Sequence, residues 1–150
     1  MYSSLESVKK KIDWITLLQL LNDEVRLEED IDLTNLNDPV IIRFMDGAIA
    51  AQNEMDPYLR VKYTIPFQTV PERVIDLSDR LTIINLYRRR GELSDKQDSD
   101  YKSIVNSLKD ISMGKSDLGI ASEPQKISNE IKTNKTASDR IFSKDMWNKF

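Results

Sequence analysis

Asp38 followed by Pro39 opens the pattern that most constrains this chain. A capping carboxylate precedes a proline whose fixed φ suits the first helical position. Ile41, Phe44, Met45, Ala48 and Ile49 then recur at helical spacing. The same period returns in Trp14, Leu17, Leu18 and Leu21 behind Asp13, and in Val74, Leu77, Leu81, Ile84 and Tyr87 behind Pro71. It returns again in Tyr101, Ile104, Val105, Leu108 and Ile111 ahead of Gly114. Stripes of period 3.6 do not suit strands, whose side chains alternate every second residue. The expected fold is therefore all-α: a small helical bundle of four to five helices, one of them long.

The punctuation sharpens this reading. Ser3 stands three places before Glu6, the spacing of a capping box, so a short first helix is expected. The long helix is expected from Pro39 to Lys62, kinked or interrupted by Pro57. Its small cluster "GAIAA" would let another helix approach closely. Arg88, Arg89 and Arg90 suit a helix C-terminus that Gly91 ends. "GELSDKQDSD" reads as a linker and "NDEVRLEEDIDLTNLNDP" as an acidic loop.

What the chain lacks excludes whole classes of chemistry. It has no cysteine and no histidine, which removes disulfides, thiol nucleophiles, imidazole catalysis and Cys/His zinc sites. Its four glycines are scattered, so no phosphate-cradling loop exists. The net charge of -3 argues against a basic groove for nucleic acid. Asp30 and Asp32 fit the first ligands of a calcium loop, but Asn35 stands where that loop needs glycine, and no glutamate falls at the twelfth position. We therefore expect no metal, no cofactor and no enzyme; a hydrolase built on the carboxylates of residues 23–38 is the remote enzymatic reading. The arginine run reads better as ion-paired than as a phosphate grip, and Trp14 better as core than as ligand platform. The longest apolar run, "WITLLQLL", falls far short of the roughly 20 residues that span a bilayer. The expectation is a protein made in the cytoplasm, without membrane or leader segment.

Two segments carry the interaction readings. The chain divides into a helical bundle, residues 1–114, and an extended C-terminal arm, residues 115–150. The arm is polar yet ends in Arg140, Ile141, Phe142, Met146, Trp147 and Phe150. Burying each large aromatic is worth roughly 2–3 kcal/mol, so this tip is expected to find shelter on its own bundle or on another molecule. The second segment, "YLRVKYTIPFQTVP", places Tyr63, Pro66, Phe67 and Pro71 in one short connection. Proline stiffens it and lowers the ordering cost of docking. It reads equally as a core plug and as a preorganised interface anchor.

Several segments in order resemble the Mu-type family of small tailed-phage head–tail joining (adaptor or connector) proteins. They are the "MYSSLE" start, the acidic stretch leading into a helix, "MDPYLRVKYTIPFQTVP", "LYRRR", "YKSIVNSLKDISMGKSDLG" and the terminal "DRIFSKDMWNKF". Pro57 departs from the pattern. The resemblance implies a virion structural protein at the head–tail junction, made in the bacterial host cytoplasm. It implies a homo-oligomeric ring of about twelve subunits beneath the portal protein. DNA would pass through the ring without specific binding, and a tail or neck protein would dock on it. By the same resemblance, Arg140, Ile141, Phe142, Met146, Trp147 and Phe150 form the portal-docking arm, and the loop of Tyr63, Pro66, Phe67 and Pro71 contacts a neighbouring subunit or a tail-side protein. The alternative is a small cytoplasmic helical protein-binding or regulatory module whose acidic face meets a basic partner.

Overall fold

The computed structural model of the chain describes residues 1–120. They form five α-helices and one short 3-10 turn: α1 (Leu5–Lys9), α2 (Trp14–Leu21), the turn (Glu28–Asp30), α3 (Pro39–Leu59), α4 (Glu72–Arg90) and α5 (Asp95–Ser112). No strand occurs among the described residues, and the fold is all-α, as the periodicity implied.

α3 and α4 form an antiparallel spine. Ala51, Met55 and Leu59 from the second half of α3 share a buried cluster with Val74, Leu77 and Leu81 from the first half of α4. Val40, Phe44 and Ala48, at the other end of α3, cluster with Leu86 near the end of α4. The helices meet closely at Gly47, where a Cβ would stand 3.1 Å from Leu86 Cδ2 and 3.8 Å from Thr82 Cγ2. This is the close approach that "GAIAA" implied. α5 completes a three-helix unit by burying Ile104, Leu108 and Ile111 in the first cluster. It runs antiparallel to α4. Tyr101 near its start lies under the Arg88 guanidinium, 4.1 Å from the ring centre, and donates to Glu54 at 2.5 Å. Beyond its end, Ser116 meets Arg73 at the start of α4 at 2.7 Å. α1 and α2 close the opposite end, burying Val8, Leu17, Leu20 and Leu21.

The helix ends confirm some expectations and correct others. Asp13 accepts the Thr16 N–H at 3.2 Å and Asp38 the Val40 N–H at 2.9 Å, so both capping carboxylates are where the sequence put them. Gly91 ends α4 in the left-handed conformation, with φ 73°. The first helix is capped differently: Ser4 accepts the Ser7 N–H at 3.1 Å and its own N–H reaches Ser7 Oγ at 3.0 Å. Ser3 is instead buried, because its hydroxyl finds Ser78 at 2.6 Å. The supposed linker is mostly helix. Ser94 and Gln97 form a reciprocal capping box that starts α5 at Asp95. α3 ends at Leu59, short of Lys62, and continues through Pro57. Pro57 cannot donate to the Asn53 carbonyl, and α3 carries that loss two residues before its end. Ile49, counted on the inner stripe, is 44% exposed. Trp14 is partly buried against the second cluster, its indole N–H donating to Glu28 and its ring under Lys9 Nζ at 4.0 Å.

The acidic connection is tied down by arginines. Asn22 accepts the Arg26 N–H at 3.1 Å and donates to the Arg26 carbonyl at 2.7 Å, closing a turn around Val25. That turn holds Val25 at φ 53°, unusual for a β-branched residue. Arg26 forks onto Asp38 at 2.6 and 3.1 Å. Three arginines converge on Asp23: Arg89 at 2.6 Å, Arg90 at 3.1 Å and Arg43 at 3.1 Å. The same three donate to the carbonyls of Leu20, Gln19 and Leu21, the unpaired acceptors at the end of α2. With Arg88 stacked on Tyr101, the basic run is engaged internally, as an ion-paired helix terminus. Hydrogen bonds from Arg26 and Arg43 hold the carboxyls of Asp38 and Glu24 down to about 2. A carboxylate depressed in the fold favours folding above its ordinary range, and that contribution is lost as pH falls towards 2.

The Gly47–Leu86 approach generates a direct expectation. Gly47→Ile should overpack the spine and lower the unfolding free energy by about 1–3 kcal/mol, read by denaturant titration. An unchanged midpoint would show that the two helices separate at no cost.

Candidate functional site

The loop joining α3 to α4 is built around Tyr63. This residue is 3% exposed, and its N–H bonds the Leu59 carbonyl at 2.9 Å, extending the turn that ends α3. Its hydroxyl accepts the Leu118 N–H at 3.1 Å. Phe67 tilts onto Tyr63 with ring centres 6.2 Å apart, and onto Tyr2 at 5.9 Å. The Ile65–Pro66 peptide is cis. Pro66 is exposed, and Pro71 is half-buried as the N-cap of α4, with the helix starting one residue later at Glu72. Tyr63 therefore plugs the core, while Pro66 and part of Phe67 remain at the surface. Together with Thr64, Gln68 and Ile120 they line a concavity of about 400 Å³.

Residues 115–120, which the sequence reading placed at the start of the arm, lie on the bundle. The Lys115 N–H returns to the Asp110 carbonyl at 2.9 Å. Leu118 is 9% exposed within the first cluster, and Asp117 pairs with Lys62 at 3.2 Å. The described chain ends at Ile120, on the rim of the concavity. Arg140, Ile141, Phe142, Met146, Trp147 and Phe150 lie outside the described residues.

A second feature, not singled out in the sequence, is a polar seam that seats the N-terminus on the spine. Tyr2 donates to Asp56 at 2.6 Å; burial and this carboxylate push its phenol well above the usual range. Ser3, Ser78 and Thr82 share buried hydroxyl contacts, with Thr82 also donating to the Ser78 carbonyl at 2.8 Å. Ser7 donates to Asp79 Oδ1 at 2.8 Å, and Lys11 pairs with Asp76 at 2.5 Å. Asp79 is 1% exposed and its Oδ2 has no partner among the described residues, so burial raises its carboxyl. The first seven residues have few apolar side chains and no periodic signal, which is why Tyr2 was assigned no contact and Ser3 was read only as a helix cap. A clue did exist: Ser78, Asp79 and Thr82 interrupt the apolar stripe of α4 on a buried face.

Chemically, both features are fasteners. Tyr63 and Phe67 link the N-terminal Tyr2 to the root of the C-terminal segment at Leu118. No group of acidic side chains suited to holding a metal ion occurs among the described residues. None of their helices is long and apolar enough to cross a membrane.

The loop yields a prediction. Tyr63→Phe removes the acceptor for the Leu118 N–H, and leaving a buried donor unpaired costs about 1–3 kcal/mol. Amide exchange of residues 116–120 should accelerate while helical circular dichroism stays near wild type; unchanged exchange would mean that the hydroxyl does not hold this segment. The comparisons with known proteins bear on what such a molecule is for. No curated protein matches the chain. A family model described as Bacteriophage Mu, Gp36 matches residues 2–135, taking in every helix of the described residues and continuing past the last of them. The chain therefore belongs to the Bacteriophage Mu Gp36 family and is a phage protein.

Proposed function

We propose that this phage protein is a head–tail adaptor with a structural, non-catalytic role. It assembles as a ring of about twelve copies beneath the portal, and its C-terminal tip holds the portal. The single observation that carries this reading is the family match over residues 2–135, joined to an apolar tip that follows it in sequence. The architecture supports it. The spine is an antiparallel pair; the N-terminus and the Tyr63 loop are fastened to it by buried contacts and the acidic connection by ion pairs. Such a body serves as a spacer.

Charge supports it as well. Residues 121–150 carry Lys126, Lys132, Lys135, Arg140, Lys144 and Lys149 against Glu123, Glu130, Asp139 and Asp145, a net +2. With -3 for the whole chain, the described body holds -5. An acidic wall repels the DNA backbone and suits a channel through which DNA passes. The Arg140–Phe150 tip supplies large apolar groups to a partner, and an arm that orders on docking covers a wide surface. The Tyr63 loop, with Pro66 and Phe67 at the surface, is placed by this reading against a ring neighbour or a tail-side protein. A helical binding module with an acidic face is the second reading; the acid surplus of the body favours it equally.

Deleting residues 136–150 separates the two. The adaptor reading expects loss of portal co-purification with helical circular dichroism largely intact. Retained portal binding, or loss of the helical signal, would count against an arm that docks on the portal.

A further inference from the structure

We propose that the surface of residues 25–36 receives residues 126–135 of a second copy of this chain, head to tail. This rests on the ring reading above and names its contact.

The receiving surface is unusual for a tied-down loop. Val25, Leu27 and Leu36 are 86%, 63% and 68% exposed, although the loop backbone is pinned by Asn22, Arg26 and Asp38. The side chains of Glu29 and Asp30 make no ion pair among the described residues, in contrast to Asp23, Glu24 and Asp38 beside them. The loop thus presents aliphatic groups and unneutralised acids on a held backbone, so little further ordering is needed to bind. Its complement is a segment that carries both basic and aliphatic residues.

The chain contains one. In "KISNEIKTNK", residues 126–135, Lys126, Lys132 and Lys135 outnumber the single acid Glu130, and Ile127 and Ile131 lie between them. Lysine reaches carboxylates at the rim while isoleucine covers aliphatic surface.

Reach decides which copy supplies it. The described chain ends at Ile120 beside Tyr63, past the C-terminal end of α3, whereas residues 25–36 precede its N-terminal end. The 21 residues of α3 span about 30 Å. Six residues from Ile120 to Lys126 stretch to about 20 Å at most. Lys126 and Ile127 therefore fall short of their own loop, so a segment seated on residues 25–36 from Lys126 onward is supplied by a neighbour. Because the segment's root at Ile120 and the receiving loop lie at opposite ends of one molecule, the contact is heterologous, and it closes into a ring when the rotation allows. The tip at residues 140–150 then continues to the portal.

The test uses the full-length protein. Equal amounts of unlabelled and 15N-labelled chain are mixed, treated with a zero-length carbodiimide cross-linker and read by mass spectrometry. Links from Lys126 or Lys132 to Glu29 or Asp30 are expected between differently labelled chains. In sedimentation, K126E/K132E should weaken self-association on the order of tenfold, and adding E29K/D30K should restore it. Links confined to equally labelled chains would overturn the proposal, since the segment would then fold onto its own molecule. Rings unaffected by K126E/K132E would overturn it while leaving the ring reading intact. A chain that stays monomeric at every concentration would overturn both.

Discussion

The close pairing of α3 and α4 at Gly47 is the constraint on which the rest depends. Because a hydrogen stands where a Cβ would press on Leu86, the two helices run alongside each other and divide the apolar residues into two clusters. α1 and α2 complete one cluster. α5, the Tyr63 loop and Leu118 complete the other. The acidic connection and the Tyr63 loop consequently fall at opposite ends of the spine. A molecule with two ends of different chemistry is suited to joining, because one end can hold a partner that the other rejects.

Polar contacts do what a core this small cannot. Three arginines neutralise Asp23 and satisfy the last carbonyls of α2, so one cluster of charges both caps a helix and fastens a loop. The N-terminus is held by Tyr2, Ser3 and Ser7, whose hydroxyls meet Asp56, Ser78 and Asp79. Burying Asp79 costs stability, since desolvation disfavours its charged form and only one oxygen is bonded. We have no physical account of why this position is not a neutral residue.

Much of the helical plan was legible. Asp13, Asp38 and Gly91 are local signals whose meaning does not depend on tertiary contacts, and each stands where it was read. Ser94 and Gln97 carried an equally local signal, but the polar composition around them masked a helix start. Ser3 and Ile49 were misread because only packing decides them: the first is drawn inward by Ser78 and the second left outside by the spine's rotation. The loop's aromatics were visible in the sequence, yet Tyr2 lies 65 positions from its partner Phe67 and Leu118 lies 55 from Tyr63, and no pattern spans such distances. The arm tip carried the clearest functional signal, in six residues that fall outside the described chain.

The account makes the protein a joint whose fastened body holds station while its apolar tip engages another molecule. Native mass spectrometry of the purified chain, alone and with the portal protein of the same phage, tests this most directly. The account predicts ring-sized masses, or masses of that size appearing when portal is added. A monomer that ignores the portal would contradict it.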